Sequence, residues 1–140
     1  MAQSGIVYGV EPNLSAAEFR RVLVASGLDA RRPAGDPDRL ERMLRGANLI
    51  VTARAYTPER ALLGVARVIT DFAYCAYVSD LAVARPQQGS GIGRGLLDAV
   101  RKQVGPEVAV ILIAAPGIET YYDGIGMSRV AHAFRFDRER

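Results

Sequence analysis

Val83-Ala84-Arg85-Pro86-Gln87-Gln88-Gly89-Ser90-Gly91-Ile92-Gly93-Arg94-Gly95 is the stretch whose reading decides how this chain folds and where its chemistry sits. An apolar, β-rich run precedes it, and Ile92, Leu96, Val100 and Val104 follow at a spacing of four residues, the period of one helix face. The stretch is therefore a turn from a strand into a helix. Glycines at 89, 91, 93 and 95 let the backbone bend and let a ligand approach without Cβ interference. The first N–H groups of a helix lack internal partners, and the helix dipole adds positive potential there. Such a turn is a site for phosphate or pyrophosphate, with Arg94 and Arg85 placed to add charge.

Outward from this point, residues 107–114 form a near-continuous apolar run, VAVILIA within it, as expected of a strand covered on both faces. Strand, crossover helix and strand over residues 74–114 make a βαβ unit, so the two strands are expected to be parallel. Upstream, runs at 48–56, 61–70 and 72–83 are joined by short turns and imply an antiparallel meander. Two helices come before them. Ser15 with Glu18 three residues later reads as a capping box, and Phe19, Val22 and Leu23 continue to a stop at Gly27. Asp36 followed by Pro37 opens the second helix, with Leu40, Met43 and Leu44 on one face. A first strand is expected at 5–10, a short helix at 117–123 and a last strand at 128–136. The fold class is mixed α/β in the order β-α-α-β-β-β-α-β-α-β, read as a single domain over 1–140.

The bulk composition agrees with this and excludes several alternatives. Of 140 residues, 49% are hydrophobic, enough for one well-buried core. The longest apolar runs are too short to span a bilayer, and the first ten residues lack the basic-then-apolar pattern of a secretory signal. Cys75 is the only cysteine, which leaves no internal disulfide and points to a reducing, cytoplasmic setting. The net charge is +3 and the pI about 9.3. A nucleic-acid-binding domain is suggested by that pI alone, and the interleaved aromatic and basic residues it would use are missing.

The glycine-rich stretch discriminates further. The dinucleotide pattern G-x-G-x-x-G fails, because the sixth position is Arg94 counted from Gly89 and Leu96 counted from Gly91. The P-loop pattern fails because no Gly-Lys pair exists. The match is Q-x-x-G-x-G, as Gln88-Gly89-Ser90-Gly91-Ile92-Gly93, after the strand end Asp80-Leu81-Ala82-Val83. On these residues the chain resembles the GNAT superfamily of acyl-CoA-dependent N-acetyltransferases, and the element order resembles that family over nearly its whole length. The resemblance implies that Gln88, Gly89, Ser90, Gly91, Ile92, Gly93 and Arg94 hold the pyrophosphate of acetyl-CoA. It also implies that Leu81, Ala82 and Val83 splay at a bulge to pair with the pantetheine arm. The plain alternative is a glycine-rich turn kept for packing.

A second resemblance lies in Glu119-Thr120-Tyr121-Tyr122-Asp123-Gly124-Ile125-Gly126-Met127, similar to the family's FY-x-x-x-GF segment. It implies that Tyr122 supplies a proton to the departing thiolate, whereas Tyr121 reads as a core aromatic. Met127 replaces the usual Phe, and Ala115 stands where many members carry an Asn that contacts the cofactor. Asp80 is the candidate proton acceptor for the amine, directly or through water, its alternative role being to hold a backbone group or an arginine at the bulge. Asp71 and Glu119 are weaker candidates. A backbone N–H near Leu81 or Ala82 would stabilise the oxyanion. His132 reads as structural or surface, no metal is expected, and Cys75 reads as a small buried hydrophobe. Arginines 20, 21, 31, 32, 39, 42 and 45 fall where the family walls its acceptor pocket and would suit an acidic acceptor. A solvated helical face is the plainer and preferred account of most of them.

The reading is thus an N-acetyltransferase moving the acetyl group of acetyl-CoA to a primary amine, small-molecule or peptide, by direct attack in a ternary complex. The alternative is a non-catalytic CoA- or acyl-CoA-binding sensor or partner subunit. The resemblance also implies a homodimer formed through sheet edges or the last strand.

Overall fold

Both N-terminal helices start where their capping residues place them. In the computed structural model, which describes residues 5–140, the Ser15 hydroxyl accepts the Glu18 N–H at 3.1 Å and starts α1 (Ala16–Ser26). Only half of the expected box forms, because the Glu18 carboxylate turns to the Arg54 guanidinium at 2.9 and 3.0 Å. Gly27, at φ 85°, ends the helix. A 3-10 turn, Leu28–Arg31, leads on to α2 (Pro37–Gly46), where the Asp36 carboxylate accepts the Arg39 N–H.

Five strands make the sheet: β1 (Ile6–Val10), β2 (Leu49–Ala55), β3 (Leu62–Thr70), β4 (Cys75–Val83) and β5 (Ala109–Leu112), in spatial order β1-β2-β3-β4-β5. The first three pairings are antiparallel and β4–β5 is parallel, so the expected meander and βαβ unit both form. The crossover is α3 (Ile92–Val104), and α4 (Glu119–Gly124) follows β5.

Helices cover both faces of the sheet. On one, Phe19, Val22 and Leu23 of α1 and Leu40 and Leu44 of α2 pack on Ile50, Val65 and Ala82. On the other, Ile92, Leu96, Leu97, Val100 and Val104 of α3 pack on Val51, Ala53, Ala66, Val68, Ala76 and Val78. No helix among the described residues is long and apolar enough to cross a membrane.

Four expectations need correction. The strand at 128–136 does not form: these residues lie outside any ladder, and Phe134 and Phe136 are exposed. Alternating apolar residues make a segment competent for a sheet, but a strand exists only when a partner edge takes it. Secondly, β5 is not covered on both faces. Ile111 and Ile113 are 47% and 54% exposed, because α1 packs on β3 and β4 and leaves the outer strand open. Thirdly, β4 starts at Cys75 rather than at 72. The Asp71 carboxylate accepts the N–H groups of Ala73, Tyr74 and Cys75 and folds residues 71–74 into a turn. Finally, Cys75 is exposed, since at the start of β4 its side chain falls on the solvent side of the pleat.

The α1/α2 face depends on Phe19, which has no exposed surface. Phe19→Ala is expected to lower unfolding free energy by roughly 3–5 kcal/mol, read as a drop in the urea midpoint with an unchanged m-value.

Candidate active site

A single extra residue in β4 builds the site. Arg67 pairs with Asp80 and Val68 with Val78, so Ser79 has no partner on β3 and forms a bulge. The bulge inverts the strand. Ala76 and Val78 before it face α3, while Ala82 after it faces α1 and α2. It also marks where the parallel pair separates. The last β4–β5 pair is Val78 with Leu112, whereas β4 keeps β3 as its partner as far as Val83. From Ser79 to Val83, the edge of β4 turned away from β3 is thus left without a strand neighbour. A cleft of about 660 Å³ opens there, lined by Ser79, Leu81, Ile113, Ala115, Ile118 and Tyr122 among others.

The glycine-rich turn lies at the far end of this edge. The Gln88 side-chain amide donates to the Val83 carbonyl at 2.9 Å and ties the turn to the strand. Ser90 donates its hydroxyl to the Gln87 carbonyl. Gly91, at φ 89°, is the residue before α3, and Gly89 is also left-handed at φ 86°. Both conformations are cheap only for glycine. The helix's own ladder begins with the Gly95 N–H donating to the Gly91 carbonyl at 2.9 Å, which leaves the N–H groups of Ile92, Gly93 and Arg94 outside the ladder. The Ile92 side chain is in the core, so this residue offers a ligand its backbone alone. Arg94 is exposed. Arg85 does not add charge here: its guanidinium lies against Gly27 at the C-terminus of α1, where the helix dipole is negative. The donor set, with no Cβ within the turn's two left-handed glycines and room around Gly89, fits a pyrophosphate.

The two tyrosines of α4 have different surroundings. Tyr122 is half-buried, packs against the α3-face core and lines the cleft. Burial, with a smaller contribution from Tyr121, raises its pKa above the ordinary 10.0. Tyr121 departs from the expected core role. It is 42% exposed, and its hydroxyl lies 2.6 Å from where a Cβ on Gly93 would stand. Burial raises its pKa, and the Arg94 charge and backbone N–H oppose this. Its phenol oxygen therefore stands at the first turn of α3, on one of the unladdered N–H groups. The sequence held the signal only in pieces, since Gly93 and Tyr121 are far apart along the chain. The rings meet edge to face at 5.1 Å.

Asp80 is not presented to the cleft as a free base. Its side chain has no exposed surface; Oδ1 takes the Arg32 Nε–H and Oδ2 takes the Arg67 Nε–H. Arg67 also donates to the Ser79 hydroxyl at 2.8 Å and the Met43 carbonyl at 3.2 Å. Arg32 donates to the Ser79 carbonyl at 2.7 Å and the Arg31 carbonyl at 2.8 Å. The arrangement is the alternative role for Asp80, an acid gripping arginines at the bulge. The weaker candidates are engaged as well: Asp71 in its turn, and Glu119 accepting the Gly117 N–H at 2.9 Å. His132 lies exposed outside any element. Among the described residues no group of three metal-ligating side chains occurs.

The site thus sits where the parallel strands of a mixed sheet part at a bulge, beside a glycine-rich helix start. The sequence model of the acetyltransferase (GNAT) domain matches residues 29–138, and the chain belongs to that family. Solved structures agree in fold. A candidate acetyltransferase from Deinococcus radiodurans R1 superposes with a TM-score of 0.72 at 22% identity, covering 99% of this chain and 94% of that one. A ribosomal-protein-alanine N-acetyltransferase from Brucella melitensis biovar Abortus 2308 gives 0.69 at 18% identity, covering 95% and 99%. A GNAT-family acetyltransferase from Brucella melitensis, solved in complex with acetyl-CoA, gives 0.65 at 18% identity, covering 95% and 92%. No curated protein matches in sequence.

Removing the Asp80 charge leaves Arg67, whose side chain is 8% exposed, without its counterion. Asp80→Asn is expected to cost roughly 3–5 kcal/mol of stability, measured by chemical denaturation. A loss near zero would show that the two ion pairs do not anchor the bulge.

Proposed function

We propose that this acetyltransferase-family protein moves the acetyl group of acetyl-CoA to a primary amine by direct attack in a ternary complex. The observation that carries the proposal is continuity. The open edge of β4 runs from the glycine-rich start of α3 to Tyr122, so one extended thioester can rest its phosphates at one end and its carbonyl at the other.

Each residue then has a physical task. The glycine-rich turn from Gln88 to Arg94 receives the pyrophosphate, with the N–H groups of Ile92 and Gly93 as its donors at the start of α3. On the edge of β4 turned away from β3, the backbone groups of Leu81 and the Val83 N–H offer hydrogen bonds to the pantetheine amides, and the Leu81 N–H polarises the acetyl carbonyl, while the Ala82 groups turn to β3. Acetyl-CoA supplies an activated acyl group on a thiolate leaving group. As the new C–N bond forms and the C–S bond breaks, Tyr122 gives its proton to the sulfur. Its raised pKa keeps that proton in place at neutral pH. Among the described residues no aspartate or glutamate lines the cleft, and Asp80 is held by two arginines. The positive surroundings of the cleft favour the neutral amine over the ammonium, and the amine's proton leaves to water.

The locked state of Asp80 also favours a second reading, a CoA- or acyl-CoA-binding sensor or partner subunit without turnover. Titration calorimetry with acetyl-CoA, and separately with NADH and ATP, tests the shared part: acetyl-CoA alone is expected to bind. Gly91→Glu, which fills and charges the anion site, is expected to abolish that binding in folded protein; retained binding would move the phosphate site elsewhere. Bound acetyl-CoA that survives long incubation with an amine panel would leave the sensor reading.

Tyr122→Phe tests the proton donor. Turnover is expected to fall about a hundredfold while the Kd for acetyl-CoA is unchanged. Because the Tyr122 pKa lies above 10.0, the native enzyme keeps its proton donor up to that pH and loses it only above. A variant with undiminished turnover would remove Tyr122 from the acid role.

A further inference from the structure

Resting on the transferase reading above, we propose that the acceptor is a small amine carrying an oxyanion, a carboxylate or a phosphate, held by arginines on the α1/α2 side of the cleft. Arg31, Arg32, Arg39, Arg67 and Arg138 all line it, and no aspartate or glutamate does. Counting fixed charge inside this wall decides its sign. Asp80 balances one of the two arginines it bonds, so the cluster of Asp80, Arg32 and Arg67 keeps one positive charge in excess. Arg32 is the outlet of that charge toward the cleft, with 23% of its side chain exposed against 8% for Arg67.

The remaining arginines add to it. Arg39 donates to the main-chain oxygen of Arg140 at 3.3 Å and pairs with no aspartate or glutamate among the described residues. The guanidiniums of Arg31 and Arg138 make no ion pair among the described residues. Arg135, also on the wall, is the exception, paired with Asp137 at 2.8 Å. A wall of this kind takes an anion by forked hydrogen bonds and repels a cationic tail.

The phosphates of acetyl-CoA do not account for these charges. Their site is the start of α3, which packs on the opposite face of the sheet from α1, α2 and Arg67. The slot where β4 and β5 part joins the two faces, so an acceptor seated among the arginines reaches the thioester through it. With Tyr122 and Leu81 on one side and Arg32 and Arg67 on the other, the slot holds the amine at the carbonyl and the oxyanion at the arginines.

The test uses amines of matched length with different tails. β-Alanine and phosphoethanolamine carry anionic tails, n-propylamine a neutral one and 1,3-diaminopropane a cationic one. Acetyl-CoA binding is measured first by calorimetry, then thiol release with each amine. The anionic amines are expected to exceed n-propylamine by about tenfold or more in kcat/KM, with diaminopropane last and the spread shrinking as salt is raised. Arg31→Gln is expected to narrow the ratio of anionic to neutral amine, and Arg31→Lys to restore most of it. Equal rates, or a preference for diaminopropane, in a protein that binds acetyl-CoA would overturn this proposal and leave the transferase reading intact. Absence of acetyl-CoA binding would remove the transferase reading instead. Side-chain Nε–H shifts of Arg31 and Arg32 by NMR then decide the anion site alone: phosphoethanolamine is expected to move them, and a protein they fail to report on, or that responds equally to diaminopropane, would end it.

Discussion

The grip of Arg32 and Arg67 on Asp80 is the constraint around which the rest of the molecule is arranged. A carboxylate with no exposed surface is stable only if its charge and lone pairs are met. Here one arginine comes from the neighbouring strand and the other from the segment between α1 and α2. The bulge at Ser79 makes this meeting geometrically possible. Without the extra residue, Asp80 would share the face of Ala76 and Val78 and point into the apolar core under α3. With it, the aspartate turns to the opposite face and the strand leaves its parallel neighbour. Cleft and charge cluster are thus two results of one backbone irregularity. The ions do more than fill space, since Arg32 fastens the connection between the two N-terminal helices to the middle of the sheet.

Much of this was legible in the sequence, and the boundary of what was legible has physical causes. Helix starts are local events. Ser15 and Asp36 sit next to the N–H groups they cap, so short-range pattern was enough to find them. The glycine-rich turn was readable for the same reason: Gly89 and Gly91 take positive φ within the segment that carries them. The parallel relation of β4 and β5 followed from the length and character of what joins them. By contrast, the two partners of Asp80 lie thirteen and forty-eight residues upstream of it, and no periodicity announces them. The last strand failed because alternation at Val130, His132, Phe134 and Phe136 describes a segment's competence and not its pairing. The coverage of β5 failed because its apolar run cannot reveal that α1 and α2 stop over the centre of the sheet. Tyr121 was misread because its contact, at the first turn of α3, is made across the fold.

Tyr121 bears on how the anion site behaves. An unladdered N–H at a helix start needs a partner, and a phenol oxygen is an adequate neutral one. The side chain is a stiff ring on a six-residue helix, so moving it aside is a small rearrangement that leaves the core residues Leu96 and Val100 untouched. The site that the sequence described as an open cradle is therefore a cradle with one of its donors already engaged, while Tyr122, one residue on, faces the other chemistry of the cleft. Adjacent residues on a helix point roughly 100° apart, which is how one short helix serves both ends.

Cys75 carries a consequence of another kind. It is the chain's only thiol, it is exposed, and it stands four residues before the bulge on the strand that forms the cleft. Reagents that detect released coenzyme A by disulfide exchange will also meet this sulfur, so the protein contributes one thiol equivalent of its own to any such signal. The same property makes the native chain a single-site substrate for a maleimide dye, whose emission would report on the environment of β4 with no residue changed.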